Sequence, residues 1–521
     1  MTSTTTIPAD LSPKDVEAYI GDQLSLYVKG MTSNFTCGGW LKLDAPVSVT
    51  LVGSTNDADT AKHNPVTIQV PKELRDLKLK LEEYEKRPSP GSWRSDGLYE
   101  RAEAKREELF AQQAADLDGL ISSIPKASFG KGGETVYDTS IRDALQLKAE
   151  KFDLSLPQEK IDEILVSIKQ DMGLTTDIIA EPYSLNVYQK GGKFLKHKDT
   201  PRGDDMFGTL VICLPSWFTG GTMDVSLGDE KQTYFEYKRF GRAWDHASPR
   251  DPCEIRWAAF FADVDHEIHT VEEGIRITVA YLLRRKDSAS AKSIIPRALE
   301  GNEQASMIKD AIQVGLRDNR FFPKGGKIGF PCLHLYTNEE VYGPNDESDE
   351  TLTNDQVNRL KGKDLMVANA CASTGLSLRL QPYLLSEVSD GCGGDWPLKR
   401  FPEELDPSDD EFRDLKLEIL YGLASDRNIE RHPNTKGKCR FVSEEADLWI
   451  LYHDDGAKHD LGEKKYSGDG YFGNEASHMH FYVKACLLID VPHWSESRGI
   501  TETETDTDTP QAKKQKVEQQ L

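Results

Sequence analysis

The segment from about residue 183 to residue 284 is a succession of short apolar runs separated by turn-rich pieces. The runs read YSLNVYQ, GTLVICL, TMDVSL, TYFEYK, IRWAAFFA and RITVAYLL, and the turns include KGG, SWFTGG and EEG. In the last run Ile275, Ile277 and Val279 alternate with Arg276 and Thr278, which is the period of an extended strand. Many short strands without an intervening helix predict a sandwich, a barrel or a jelly roll.

A histidine and an aspartate stand two residues apart in FLKHKDTP, within this strand-rich segment. On an extended backbone, residues i and i+2 point to the same side, so His197 and Asp199 can reach one metal ion. Such a pair alone is weak evidence, and the prediction therefore includes His266, which stands at the end of the IRWAAFFA run. Two histidines and one carboxylate leave three positions on a metal open, which suits non-heme iron(II) that binds a cosubstrate and O2 together.

An arginine follows His266 at a distance of ten residues and opens the next strand-like run. A cosubstrate such as 2-oxoglutarate chelates the metal through its 2-oxo acid end, and its distal carboxylate then needs a fixed cation. The planar guanidinium of arginine supplies two parallel charge-assisted hydrogen bonds to a carboxylate. Arg276 is therefore the candidate for this role.

Three motifs in this region occur in order: LNVYQKGGKFLKHKD, FGTLVICLPSWFTGGTMDV and HEIHTVEEGIR. They resemble, in turn, the YxxGxxFxxHxD element, the following strand pair with a GG turn, and the HEVxxVxxGxR element of the prolyl-4-hydroxylase-like iron(II)- and 2-oxoglutarate-dependent dioxygenases. The resemblance covers roughly residues 125–285, and ASFGKGGETVYDTSIRDAL and GNEASHMHFYVKACLLIDVP resemble a fungal-looking branch with long flanking regions.

The resemblance implies a double-stranded β-helix, a jelly-roll barrel with iron at one open end. It implies that the iron ligands are His197, Asp199 and His266. It further implies that Arg276 binds the distal carboxylate of 2-oxoglutarate and that Tyr188 also contacts this cosubstrate. The implied cofactors are Fe(II), 2-oxoglutarate and O2, with ascorbate as a further candidate. One departure from the family pattern is a turn position, where Thr270 replaces the usual proline.

The resemblance implies hydroxylation of a substrate C–H bond, and a prolyl residue in a protein is the leading expectation. A small metabolite is the main alternative. Nucleic acid ranks third, because a net charge of −23 repels phosphate backbones, although five basic residues crowd the approach to the site. They are Lys190, Lys193, Lys196, Lys198 and Arg202. A non-catalytic interaction scaffold is the alternative from a different class, and the complete set of ligands with Arg276 argues against it.

Several residues compete for the same roles. The spacing to Arg276 favours His266 over His269, which is expected in a turn that faces solvent or as a hydrogen-bond donor near the ligands. His478 and His480 are interpreted as an ordinary strand pair. The sequence His453-Asp454-Asp455 repeats the His-x-Asp spacing and could belong to a decayed second barrel. Two glycines, Gly220 and Gly221, are expected to provide turn geometry.

The 521 residues are too many for one small core, and we expect an α+β protein with several parts. They are an N-terminal strand and helical region (1–124), the oxygenase domain (125–286), a C-terminal mixed α/β domain (287–495) and a disordered tail (496–521). Strand-like pieces are predicted around LYVKG and VSVTLVG, and helices over 158–172 and near 303–317. The charged stretch 72–121 has a helical character.

Eight cysteines without a CxxC pair indicate reduced thiols in an intracellular protein. The sequence has no run of 18 apolar residues, and its start lacks the pattern of a secretory signal, so no membrane span or secretion is expected. The cluster KKQKV at 513–517 could act as a nuclear address, and we therefore expect a cytoplasmic or nuclear protein. The sequence gives no indication of the oligomeric state.

Overall fold

The computed structural model describes fourteen stretches of the chain, and all structural statements below concern these residues. The stretches are 6–52, 65–69, 98–131, 134–203, 205–235, 253–286, 303–337, 351–386, 394–397, 428–431, 439–442, 447–450, 472–473 and 482–494. The predicted tail 496–521, with its basic cluster, lies outside them, as do residues 72–97 of the charged stretch.

The helices lie mainly in the flanking regions, and a short 3-10 turn occupies Ala149–Lys151. The α-helices are α1 (Pro13–Gly30), α2 (Leu98–Ile121), α3 (Gln158–Asp171), α4 (Glu303–Leu316), α5 (Asn354–Arg359) and α6 (Gly362–Ala372). The helices predicted over 158–172 and near 303–317 are confirmed as α3 and α4. On α3 the apolar residues Ile161, Ile164 and Ile168 are buried, and the chain leaves the helix through Gly173 with a positive φ of 67°.

The strands before α3 are short. They are β1 (Thr36–Lys42), β2 (Val47–Leu51), β3 (Val66–Ile68), β4 (Phe129–Lys131), β5 (Glu134–Val136), β6 (Arg142–Asp143), β7 (Leu145–Lys148) and β8 (Phe152–Leu154). Ten strands fill the segment whose sequence predicts strands alone. They are β9 (Ile178–Tyr188), β10 (Lys193–His197), β11 (Met206–Cys213), β12 (Phe218–Gly220), β13 (Met223–Leu227), β14 (Glu230–Tyr234), β15 (Glu254–Phe261), β16 (Asp265–Ile268), β17 (Val271–Gly274) and β18 (Arg276–Arg285).

The remaining strands belong to the C-terminal half, apart from the short β25, which pairs with β4. They are β19 (Gly326–Thr337), β20 (Leu378–Ser386), β21 (Gly394–Pro397), β22 (Asn428–Arg431), β23 (Cys439–Val442), β24 (Asp447–Ile450), β25 (Phe472–Gly473) and β26 (Tyr482–Val491). A seven-stranded sheet has the order β21-β20-β26-β19-β24-β23-β22. Its β19–β24 pair is parallel, and its other pairs are antiparallel.

Two antiparallel sheets build the strand-rich segment. The larger has the order β1-β15-β11-β18-β9-β7 and the smaller β14-β13-β16-β10-β6. The sheets meet face to face: the Thr36 hydroxyl donates to the Tyr234 hydroxyl over 3.0 Å, and the rings of Phe260 and His266 lie 4.6 Å apart. Helix α3 packs against β9 and β1 of the larger sheet. This mixed α and β architecture of mostly antiparallel strands is consistent with the predicted jelly roll.

The prediction of a strand at LYVKG is wrong, because these residues form the last turns of α1. Ser12 caps the helix through its hydroxyl and Pro13 occupies the first turn, a sequence pattern typical of a helix start. The apolar positions Val16, Ile20, Leu24 and Val28 recur at four-residue spacing and are buried. They join the hydrophobic core of the C-terminal half, in which α1 packs against α4. In contrast, VSVTL forms a strand as predicted.

None of the helices in the described part of the chain combines the length and the apolar character that crossing a bilayer requires.

Candidate metal centre

The two predicted histidines and the aspartate come together at the end of the smaller sheet. His197 ends β10 and pairs directly across the antiparallel ladder with His266 of β16. Asp199 follows two residues later, and its Oδ1 lies 3.7 Å from Nε2 of His266. One ligand atom from each of the three residues lies within 4.8 Å of the others, and all three side chains are buried. Within the described ranges, this group alone has the composition and spacing to hold a metal ion.

The backbone fixes which nitrogen of each imidazole faces the centre. Nδ1 of His197 lies 2.8 Å from the Leu195 carbonyl oxygen, and Nδ1 of His266 lies 3.3 Å from that of Val264. A carbonyl oxygen can only accept, so Nδ1 carries a proton in both rings, which leaves Nε2 as the nitrogen that can bind a metal ion. Lone pairs on Nε2 are what a metal ion needs from a histidine.

The carboxylate is also held. The hydroxyl of Thr209, on β11 of the larger sheet, donates to Oδ2 of Asp199. The other oxygen, Oδ1, is the one near His266. Thr209 therefore orients Asp199 with one oxygen toward the centre. Thr209 was not among the residues predicted from the sequence, although a hydroxyl within the apolar strand MFGTLVIC is a signal of a specific hydrogen bond.

A stack of three side chains supports His197. The centre of its ring lies 3.5 Å from the centre of the Phe194 ring. The guanidinium carbon of Arg142 lies 4.6 Å from the centre of the Phe194 ring. Arg142 in turn donates to the side-chain oxygen of Asn186 over 3.0 Å and to the Ser128 carbonyl. Burial, followed by the nearby charges of His266 and Arg142, lowers the pKa of His197 well below its usual value. The neutral imidazole that results is the form that binds metals.

The predicted cosubstrate residues lie on the larger sheet, and their placement follows from the ladder. Arg276 pairs directly with Tyr188 of β9, and the guanidinium carbon lies 5.3 Å from the Tyr188 ring centre. Every second residue of β18, counted from Arg276, lies on the same face of the sheet. Leu282 is one of these residues, and it pairs with Thr209. Arg276 therefore shares a sheet face with the residue that holds Asp199.

The guanidinium of Arg276 is fully buried, with 0% of the residue exposed. Among the residues that the structure describes, none forms a hydrogen bond to its Nε, Nη1 or Nη2. Its flanks are the rings of Tyr188 and Phe235, with Phe235 also 5.3 Å away. Gly221, with a positive φ of 61°, approaches so closely that a Cβ there would lie 3.1 Å from Cδ of Arg276. The structure thus holds a desolvated cation in a fixed position, which suits an anionic ligand.

Gly220 and Gly221 both adopt the left-handed conformation, as expected for turn residues. The Gly220 turn faces Thr270, the position at which the family pattern has proline. A Cβ at Gly220 would lie 2.5 Å from the Thr270 carbonyl oxygen, so only glycine fits. The alternative His-x-Asp at 453–455 and the pair His478 and His480 lie outside the described residues.

Three of the five basic residues near the centre, Lys196, Lys198 and Arg202, have partners within the protein. Lys196 and Lys198 reach the carboxylate of Asp265 at 3.1 and 3.0 Å. Arg202 lies over the Tyr183 ring at 4.6 Å and donates to its hydroxyl over 2.9 Å. Much of the positive charge noted in the sequence is therefore engaged within the protein.

His269 is separate from the metal group. Its Nε2 lies 2.6 Å from Oδ2 of Asp224, and the side chain is 44% exposed. This placement agrees with the prediction of a turn residue that faces solvent.

We expect His269→Ala to retain most activity and to change the free energy of unfolding by about 1 kcal/mol or less, because exposed ion pairs contribute little. His266→Ala should lose activity. Measuring succinate release from both variants at saturating iron(II) tests this prediction. The opposite pattern would mean that His269, and not His266, is the ligand.

We expect Thr209→Val to weaken metal binding about tenfold, because a residue that orients a ligand typically contributes a factor of about 10 to 100 to affinity. Thr233→Val is the matched control, since Thr233 donates to Asp224 outside the metal group. Calorimetric titration with manganese(II) measures both variants. Equal affinity in Thr209→Val and wild type would mean that the hydroxyl does not orient Asp199.

Comparison with known proteins gives a structural likeness and no sequence match. The chain is similar to solved 2-oxoglutarate–iron(II) oxygenases and prolyl 4-hydroxylases. An oxygenase of this family from Burkholderia pseudomallei is 18% identical, with a TM-score of 0.22, over 35% of this chain and 84% of that chain. A Pseudomonas putida prolyl-4-hydroxylase is 18% identical, with a TM-score of 0.21, over 34% and 84%.

A third similar structure is a prolyl hydroxylase from Trichoplax adhaerens in complex with a peptide fragment of the hypoxia inducible factor oxygen degradation domain. It is 12% identical, with a TM-score of 0.23, over 54% of this chain and 96% of that chain. No family model and no curated protein matches the sequence. At these TM-scores the likeness adds nothing to the functional argument, which depends on the residues of this chain.

Proposed function

We propose that the protein is an iron(II)- and 2-oxoglutarate-dependent dioxygenase that hydroxylates a substrate C–H bond. The observation that carries the proposal is the joint placement of two elements on facing sheets. One is the buried group His197, Asp199 and His266, and the other is the buried guanidinium of Arg276. Each element alone fits many proteins, whereas a metal group and a desolvated cation on facing sheets fit a metal-chelating, doubly anionic cosubstrate.

The proposed iron ligands are Nε2 of His197, Nε2 of His266 and a carboxylate oxygen of Asp199. With three protein ligands, iron(II) would have positions left for 2-oxoglutarate and O2, and when bound it would supply the oxidising chemistry. The residues of the chain hold the ligands in register: Leu195 and Val264 fix the two rings, and Thr209 fixes the carboxylate.

Arg276 is proposed to bind the distal carboxylate of 2-oxoglutarate. Burial of an unpaired charge costs several kcal/mol, and a carboxylate that accepts two hydrogen bonds from the guanidinium offsets this cost. Tyr188 lies across the ladder from Arg276 and is proposed as the second residue of this pocket. The aromatic flanks from Tyr188 and Phe235 exclude water from the pair, which strengthens it.

Within this class, we propose a prolyl residue of a protein as the substrate, with support from the motif resemblance alone. The same proposal includes a jelly-roll core, a catalytic domain that spans residues 125–286, and an intracellular location.

The test is to incubate the protein with iron(II), 2-oxoglutarate and O2, in one arm with a proline-containing peptide pool and in another with a metabolite pool. We expect succinate release and a product 16 Da heavier that contains hydroxyproline. A mass gain of 16 Da in the metabolite pool alone would support dioxygenase activity and would exclude a prolyl residue as the substrate. If no arm or added substrate produces succinate, the proposal fails.

A further inference from the structure

The turn between β15 and β16, residues Ala262 to Val264, touches the proposed metal ligands through its backbone. The amide of Asp199 donates to the Ala262 carbonyl oxygen over 3.2 Å. The Val264 carbonyl accepts from Nδ1 of His266, as described above. Lys198, between His197 and Asp199 in sequence, donates to the Asp263 carbonyl over 2.6 Å. The position of this turn therefore sets the positions of both the carboxylate and the second imidazole.

The side chain of Asp263 is fully buried, and its partners among the described residues all belong to the C-terminal half of the chain. Its carboxylate accepts from Nδ1 of His334 over 3.0 Å and from the backbone amide of Leu335 over 3.0 Å. Nζ of Lys361 lies 3.4 Å away. Burial by itself would raise the pKa of Asp263, but the charges of Lys361 and His334 hold this pKa well below its usual range.

These partners are themselves fixed by a second buried carboxylate, that of Asp364. It accepts from the amide of His334 over 3.0 Å and from the hydroxyl of Tyr336 over 2.9 Å. Lys361 donates to the Leu335 carbonyl over 2.7 Å. Gly362 closes the back of the cluster, since a Cβ there would lie 2.9 Å from Nε2 of His334. The β19 segment and the start of α6 thus present a rigid set of donors to Asp263.

We infer that the C-terminal half positions the metal ligands through Asp263, with His334 and Lys361 as positioning residues. The inference rests on the proposed function only in taking His197, Asp199 and His266 as metal ligands. If the hydrogen bonds to Asp263 served only to hold the two halves together, they would not need to end on the turn 262–264, which contacts two of the proposed ligands. Loss of a donor to Asp263 leaves a buried carboxylate underpaired, and the turn is expected to shift to restore its pairing.

The test uses the full chain and five substitutions, of which the fifth, His334→Asn, is a rescue variant. Lys361→Met removes the ammonium group that forms an ion pair with Asp263, and His334→Leu removes a hydrogen-bond donor to it. Lys327→Met is the matched lysine control, because Lys327 pairs with Asp490 in the same half. Ile312→Ala is the stability control, because Ile312 is a buried core residue of α4. Two measurements are made on metal-free protein: the affinity for manganese(II) alone by calorimetry, and hydrogen exchange of the segments 196–200 and 262–266.

We expect Lys361→Met and His334→Leu to weaken manganese(II) binding about tenfold or more and to accelerate exchange in both segments. The two controls should change neither quantity, even where Ile312→Ala lowers the melting temperature. His334→Asn should restore much of the affinity, because its amide places a donor near the position of Nδ1. If His334→Leu does not fold, the result for Lys361→Met tests the inference. That variant leaves Asp263 with two hydrogen-bond donors, Nδ1 of His334 and the amide of Leu335.

Unchanged affinity and exchange in Lys361→Met would overturn the inference and leave the cluster as a docking contact. If wild-type protein bound no manganese(II), the proposed metal site would fail instead. In that case hydrogen exchange alone tests whether the C-terminal half positions these three side chains. Faster exchange in Lys361→Met and His334→Leu but not in the controls supports this, and equal exchange overturns it.

Discussion

Replacement of Asp199 by asparagine is expected to abolish turnover while the fold survives. The substitution keeps the size of the side chain and its ability to accept a hydrogen bond from Thr209, but it removes the anionic ligand. Residues that only orient metal ligands typically contribute a factor of about 10 to 100 in affinity, so loss of a ligand itself should cost more than about 100-fold. His197→Ala should act in the same way.

The measurements are iron(II) stoichiometry under anaerobic conditions, succinate release, and circular dichroism to verify the fold. Wild-type protein should bind about one iron(II) per chain. His269→Ala is the matched control, because its side chain pairs with Asp224 and lies outside the metal group. Wild-type activity in Asp199→Asn or His197→Ala would show that these residues do not hold the metal.

Replacement of Arg276 should separate cosubstrate binding from metal binding. Loss of one partner of a buried charge pair costs about 3–5 kcal/mol, so Arg276→Ala should raise the apparent KM for 2-oxoglutarate about 100-fold or more. Iron(II) affinity should change little, because Arg276 is not among the three candidate ligands. Arg284→Ala is the control on the same strand, since Arg284 pairs with Glu181 and Asp205. An unchanged KM in Arg276→Ala would exclude this pocket.

The same residue allows a stability measurement that needs no turnover. In protein without 2-oxoglutarate, the buried Arg276 guanidinium has no hydrogen-bond partner among the described residues. Arg276→Met keeps most of the volume and removes this cost, so its melting temperature should exceed that of wild type. Added 2-oxoglutarate with manganese(II) should stabilise wild type and leave Arg276→Met almost unchanged. A Met variant less stable than wild type under both conditions would mean that the guanidinium is paired.

The three candidate ligands could be grouped from the sequence because the signals are local. His197 and Asp199 share one extended segment, and Arg276 follows His266 at a short, fixed spacing. Strand alternation then places each side chain on the correct face without knowledge of the sheet order. The same reasoning separates His269 from His266, which the structure places apart.

Residues that support the centre were not predicted, because their contacts form only when separate strands and sheets pack against one another. Thr209 meets Asp199 only when β11 enters the larger sheet, and Asp263 meets His334 across 71 residues. Arg142 lies in a two-residue strand without any periodic signal. The failure at LYVKG has a different cause: an apolar run of a few residues is compatible with a strand or with one face of a helix.

The first fifty residues serve both halves of the protein at once. Helix α1 packs against α4, and β1, only a few residues later, completes the larger sheet beside β15. A chain synthesised from its N-terminus must therefore hold the apolar face of α1 unpaired until more than 270 further residues have emerged. Such long-range closure slows folding and leaves an aggregation-prone surface exposed in the interval. We expect refolding from denaturant to be slow and to depend on protein concentration.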